Sequence, residues 1–137
     1  MDVEHKQLVQ LLPLLPLLAE LLGRTAGVPL ITNVMGATGE QLAELVEPLD
    51  ERPEVAAIEL NVSCPNVRGG MLFGCDPGLA ADVTQAVKRE TDLPVIVKLT
   101  PNAPDVVAVA RAVEEAGADG LTAINTVLGM RIDTKKK

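Results

Sequence analysis

Asn61-Val62-Ser63-Cys64-Pro65-Asn66 concentrates more chemistry than any other stretch of this chain. It sets a thiol three positions after an amide side chain and then fixes the backbone with a proline. Gly69, Gly70 and Gly74 follow and give the stretch room to move. A thiol so placed can serve as a nucleophile or as a proton acceptor. A loop cysteine by itself is more often inert, so the loop alone does not assign the role. Ser63 has no His–Asp set to activate it, because the chain has one histidine, His5. The only other cysteine is Cys75, next to a helix start, where packing is the simpler role. Two cysteines and one histidine cannot build a four-ligand zinc site, and no metal is expected. They read as reduced thiols of a cytoplasmic protein.

A second set is spread along the chain. Asn33, Asn61, Lys98 and Asn125 each close a short apolar run, and they are 28, 37 and 27 positions apart. In parallel α/β folds, active sites form at the carboxyl ends of strands. Burying polar side chains there without partners is costly. Four polar run-ends in succession therefore suggest one shared pocket. Asparagine offers donors and an acceptor, which suits a planar ring carrying N–H and C=O groups. A lysine adds positive charge for an electron-rich ring or a carboxylate. No histidine or carboxylate pair accompanies them, which disfavours glycosidase-type acid–base chemistry. Glu59 is as well suited to a structural role as to the site.

The elements that position these residues repeat one unit. The runs Val28–Asn33, Val55–Val62, Pro94–Leu99 and Gly120–Asn125 read as buried strands. Between the first two, Thr38 and Gln41 fit a capping box, and Leu42, Leu45, Val46 and Leu49 form one helical stripe. Pro48 is expected to stop or kink that helix. A second helix starts from Asp76 as N-cap with Pro77 at N1 and carries Leu79, Val83 and Val87 on one face. A third holds Pro104 and Asp105 in its first turn, carries Val106, Ala110 and Val113, and ends at Gly117. Strands alternating with single helices imply βαβ units and a parallel sheet.

Composition bounds the answer. The chain has 137 residues, 47% hydrophobic and 23% charged, which is globular. It is too short for a whole (β/α)₈ barrel, which takes roughly 200 residues or more. One phenylalanine, no tryptophan and no tyrosine leave no aromatic platform for stacking bases. A net charge of −7 disfavours nucleic acid as well. The Leu-rich stretch from Leu8 to Leu22 is broken by Gln10, Pro13, Pro16 and Glu20 and falls short of the about 20 apolar residues of a membrane span. It reads as a buried or partner-facing helix, with no membrane association.

The motifs resemble the dihydroorotate dehydrogenase family, flavoproteins of pyrimidine biosynthesis. The resemblance rests on Glu59 to Asn66, on Phe73-Gly74 with Asp76-Pro77, and on Val97 to Asn102. It continues through Ala116 to Gly120 and Ile124-Asn125-Thr126, in order and in spacing, from about Val28 to Asp133. A cysteine at position 64 is similar to the soluble class 1 enzymes. The Gly-rich loop and Leu128 to Asp133 look most like the NAD-linked catalytic subunit, which works with an iron–sulfur and FAD electron-transfer subunit.

The resemblance implies an α/β fold: a partial (β/α)₈ TIM barrel of about four consecutive βα units after an N-terminal Leu-rich helix. Residues 1–27 would be the helical segment and 28–137 the partial FMN-binding domain. It implies FMN-dependent oxidation of dihydroorotate to orotate in the cytoplasm. Cys64 would be the base that takes the C5 proton, with hydride passing from C6 to the flavin. Asn33, Asn61, Lys98 and Ile124 would line the FMN site, with Lys98 favouring charge on the N1–C2 side. Asn61, Asn125 and Thr126 would bind the pyrimidine, with Asn66 a further candidate. The flavin would have aliphatic and polar walls, and Phe73 would be the one ring able to approach it. The family's early strands and its FMN-phosphate loops have no counterpart in this chain. A half-barrel without catalysis, assembling with itself or with a complementary fragment, is therefore the alternative, and homo-oligomerisation is expected. A dihydropyrimidine dehydrogenase-like domain is a related reading.

Overall fold

The computed structural model describes residues 28–63 and 73–127, together with Gly129, Met130 and Ile132. The Leu-rich helix expected before residue 28 lies outside them. Among the described residues, four strands form one sheet: β1 (Leu30–Val34), β2 (Val55–Asn61), β3 (Val95–Lys98) and β4 (Gly120–Thr122). Three helices alternate with them: α1 (Gly39–Asp50), α2 (Pro77–Arg89) and α3 (Val106–Glu115). The strands are all parallel and lie side by side in chain order, β1-β2-β3-β4.

That order decides the architecture. Parallel crossovers are almost always right-handed, so strands added on the same side each time leave every helix on one face. A doubly wound sheet would instead reverse direction and populate both faces. Consistent with the first case, α2 packs against both α1 and α3. This is the arrangement of consecutive units of a (β/α)₈ barrel, as the alternating pattern implies.

The core lies between sheet and helices. Ile58 and Leu60 of β2 and Val95 and Val97 of β3 are fully buried, and the register pairs Ile58 with Val95 and Leu60 with Val97. Leu42 and Val46 of α1, Val83 and Val87 of α2, and Val109 and Val113 of α3 close over them. Side chains alternate along a strand, so Glu59, Asn61, Ile96 and Lys98 stand on the opposite face. With helices on one side only, that face carries the polar residues.

The helix ends follow local chemistry. The Thr38 hydroxyl accepts from the Gln41 N–H at 3.2 Å, and Gln41 Oε1 accepts from the Ala37 N–H at 3.0 Å. The return bond of this capping box thus lands one residue before the cap. Asp76 accepts from the Leu79 N–H at 2.9 Å. Asp105 is the N-cap of α3 rather than a first-turn residue, and it accepts from the Ala108 N–H at 2.9 Å. At the far end of α3, Gly117 has φ +100°. Its N–H donates to Glu114 O and that of Ala118 donates to Val113 O, both at 3.0 Å, which is a Schellman closure. Pro48 does not end α1, which runs on to Asp50. The N–H that Pro48 lacks would have bonded the carbonyl of Glu44, and both residues are solvent-exposed, so water can take that carbonyl.

Two aspartates fasten the opposite end of the sheet. Asp119 accepts from the Val95 N–H at 2.7 Å and from Lys88 Nζ at 2.8 Å. Asp50, at the end of α1, accepts from the Thr91 hydroxyl and from the Asp92 N–H.

Candidate active site

The carboxyl ends of β1, β2 and β3 bring Asn33, Asn61 and Lys98 onto one sheet face. Asn33 pairs in register with Glu59, and Asn61 with Lys98. Asn61 and Lys98 are the last residues of their strands. Asn33 is the penultimate residue of β1, which extends to Val34. Asn125 differs from the expected strand end: β4 closes at Thr122 and Asn125 lies in the segment that follows. Its N–H donates to Leu99 O at 2.9 Å, which holds that segment beside the end of β3.

Glu59 is the hub. One oxygen of its carboxylate accepts from Asn33 Nδ2 and from Lys98 Nζ, the latter at 3.3 Å. The other accepts from the Thr122 hydroxyl at 2.8 Å. Three strands thus send one polar side chain each to a carboxylate carried by the fourth, β2. The side chains of Glu59 and Lys98 are 18% and 26% exposed, so water screens the pair only partly. Burial pushes the Glu59 carboxyl up. The bonds from Thr122, Asn33 and Lys98, with the charge of Lys98, outweigh it and hold the group below its ordinary range.

Beside this hub runs a second chain of bonds. Asn61 Oδ1 accepts from the Ser63 hydroxyl at 2.9 Å and from the Ser63 N–H at 3.2 Å. The Ser63 oxygen in turn accepts from Asn125 Nδ2. Asn125 Oδ1 accepts from the Thr126 N–H at 2.8 Å. Asn61, Asn125 and Thr126, expected to bind the same ring, are thereby connected. Ile124, after a cis Ala123–Ile124 peptide, is 41% exposed. Cys64 and Asn66 lie outside the described residues; the buried Ser63 immediately precedes Cys64.

Sequence reasoning missed Thr122 and the part of Ser63, and it left Glu59 undecided. The signal for Glu59 was present: it stands two positions before Asn61 and so shares its face. Thr122 is found only through its pairing with Lys98.

Phe73 does not approach the polar sheet face. It packs against the core and lines a groove of about 550 Å³ between α1 and α2, on the helix side. That groove holds none of the site amides, so it is not the site. Cys75, taken as a packing residue, is half-buried, and its thiol lies 3.8 Å from Asn102 O. Among the described residues no cluster of metal-ligating side chains occurs and no helix is long and apolar enough to cross a membrane.

Consecutive parallel βα units with a polar carboxyl-end face are the architecture of a segment of a (β/α)₈ barrel. The family model "Dihydroorotate dehydrogenase" matches residues 8–137. The chain belongs to the dihydroorotate dehydrogenase family. It is 55% identical over 109 residues to the dihydroorotate dehydrogenase B (NAD(+)) catalytic subunit of Anoxybacillus flavithermus, covering 79% of this chain and 35% of that protein. It is 56% identical over 108 residues to that of Desulforamulus reducens, covering 78% and 36%. For that of Geotalea daltonii the figures are 52% over 115 residues, 83% and 38%. The chain thus spans little more than a third of the length of the curated relatives it matches.

Proposed function

We propose that this chain supplies the flavin-ring and pyrimidine side of an FMN-dependent dihydroorotate dehydrogenase, which oxidises dihydroorotate to orotate. The observation that carries this reading is the convergence of Asn33, Asn61 and Lys98 on one sheet face, at the end of the strand that leads into Cys64. In this reading residues 28–137 are the flavin domain.

The donor set suits the ring of FMN. Amides meet its N–H and C=O edge, Lys98 offers positive charge, and the aliphatic Ile31 and Ile96 share the face. The described helix N-termini suit its phosphate poorly. Two of the three are capped by aspartates, Asp76 and Asp105, whose charge opposes an anion. Asn33, Asn61, Lys98 and Ile124 would therefore hold the ring. When bound, FMN accepts the electron pair that leaves C6 of dihydroorotate as hydride.

The chain's own part is proton and position. Cys64, as thiolate, takes the C5 proton, and Asn61, Asn125 and Thr126 orient the pyrimidine. A free thiol has a pKa of about 8.5, so turnover should rise with pH until Cys64 is ionised. The names of the relatives, each a catalytic subunit, support an electron-transfer partner; an iron–sulfur and FAD subunit, a homo-oligomer and a cytoplasmic location complete the reading. FMN titration tests the core of it. The protein should bind FMN, with Lys98→Ala and Asn61→Ala weakening it about tenfold or more, the loss of a charged or bidentate contact. No binding, or binding untouched by both changes, would overturn the reading.

A further inference from the structure

We infer that Glu59 is a positioning residue: it orients the Lys98 ammonium and the Asn33 amide on the sheet face and opposes part of the Lys98 charge. Glu59 shares one carboxylate oxygen between Asn33 Nδ2 and Lys98 Nζ, and Thr122 anchors the other oxygen at 2.8 Å. The Thr122 bond fixes the carboxylate plane, so the oxygen that meets Asn33 and Lys98 has a defined place. Glu59 is also the registered partner of Asn33, and Lys98 that of Thr122, so strand pairing itself sets the four side chains together.

The alternative is a carboxylate that only glues strands. Gluing needs the hydrogen bonds but no particular lysine geometry. Positioning predicts an effect on Lys98 that general loosening does not give. For flavin, the consequence rests on the function proposed above. An ammonium stripped of its carboxylate favours the electron-rich reduced ring over the oxidised one.

The first experiment needs no cofactor. Wild type and Glu59→Gln are acetylated with a succinimidyl ester, and the rate at each lysine is read by peptide mass spectrometry. Lys98 should label about two- to fivefold faster in Glu59→Gln, the range for a partly exposed ion pair. Lys88, which bonds Asp119 at 2.8 Å, is the internal control and should not change. Thr122→Val, which loosens the carboxylate and keeps its charge, should raise Lys98 labelling by less. An unchanged Lys98 rate in both variants, or a parallel rise at Lys88 in both, overturns the proposal.

The second experiment measures Kd for oxidised and reduced FMN. Glu59→Gln should shift the ratio toward reduced FMN by about threefold or more, and Lys98→Gln should shift it the other way. An unchanged ratio in Glu59→Gln overturns the charge-opposing role. If wild type binds no FMN while Lys98 labelling rises as expected, the flavin reading fails and the positioning role stands. If FMN binds and Lys98 labelling does not move, the positioning role fails and the flavin reading stands.

Discussion

Gly74→Ala should damage the approach to Cys64 from a distance. Gly74 is buried, and a Cβ there would sit 2.8 Å from the Val62 carbonyl oxygen and 2.9 Å from Thr100 Cγ2. Real Cβ atoms do not come that close. Thr100 is buried, so its methyl group has little space to turn away. The Val62 carbonyl is backbone, one residue past the end of β2, and it yields only if the chain entering Ser63 and Cys64 moves. Two overlaps of this kind cost about 1–3 kcal/mol, as for other overpacked sites. Gly117→Ala is the contrast. Nothing lies within 4 Å of the added carbon there, and the cost is only the φ of +100°, about 1 kcal/mol. Urea unfolding of both variants gives the stability changes, and dihydroorotate oxidation by the FMN-loaded protein gives the functional one. Gly74→Ala should lose activity more than tenfold, because displacement of about 1 Å at a reacting group costs about a hundredfold. Gly117→Ala should keep near wild-type activity. A Gly74→Ala protein with wild-type stability and turnover would refute the close-approach argument.

Further outcomes follow from the packing and the charges. Ile58→Ala, at a fully buried position on an inner strand, should cost about 2–5 kcal/mol in urea unfolding. Asp119→Ala should cost about 1 kcal/mol, since it removes the partner of the Val95 N–H and an exposed ion pair with Lys88. Acid should destabilise the fold in a defined window. The bond from Lys88, then that from Val95, holds the Asp119 carboxyl below its ordinary 3.8, and the bonds to Glu59 outweigh burial to hold that group below 4.5. Their folded pKa values are depressed, so their contribution is complete above about pH 4.5 and is lost as pH falls through the folded values. Urea midpoints between about pH 7 and pH 3 should fall in wild type and fall less steeply in Asp119→Asn.

Much of the fold was legible because its signals are local. The caps at Thr38 and Asp76 and the glycine at 117 each state a nearest-neighbour preference, and the structure uses them. The apolar stripes hold in large part: Val83 and Val87 of α2 are buried but Leu79 is exposed, and in α3 Val109 and Val113 are buried while Val106 and Ala110 are only partly so. Four short β-branched runs between helices sufficed to imply a parallel sheet. The misplacements have physical causes too. Pro48 was expected to break α1, but its missing bond falls near the helix end and faces water. Asn125 looked like a strand end, yet β4 closes after three residues and the chain continues as an irregular segment tied to Leu99. The candidate site was only half legible. Asn33, Asn61 and Lys98 could be named from where apolar runs stop. Glu59 could be placed on the face of Asn61, but its bonds to Asn33, Lys98 and Thr122 could not be named, because they join residues 26, 39 and 63 apart in sequence. Strand register brings those residues together, and register is not written in any one strand.

The most direct test of the account is the bleaching of protein-bound FMN by dihydroorotate without any other electron acceptor, in wild type and in Cys64→Ala. Wild type should lose its visible flavin absorbance at a rate that rises with pH until the thiol ionises. Cys64→Ala should bind FMN and hold its colour. Bleaching of Cys64→Ala at the wild-type rate, with the same pH dependence, would contradict the assignment of Cys64 as the base.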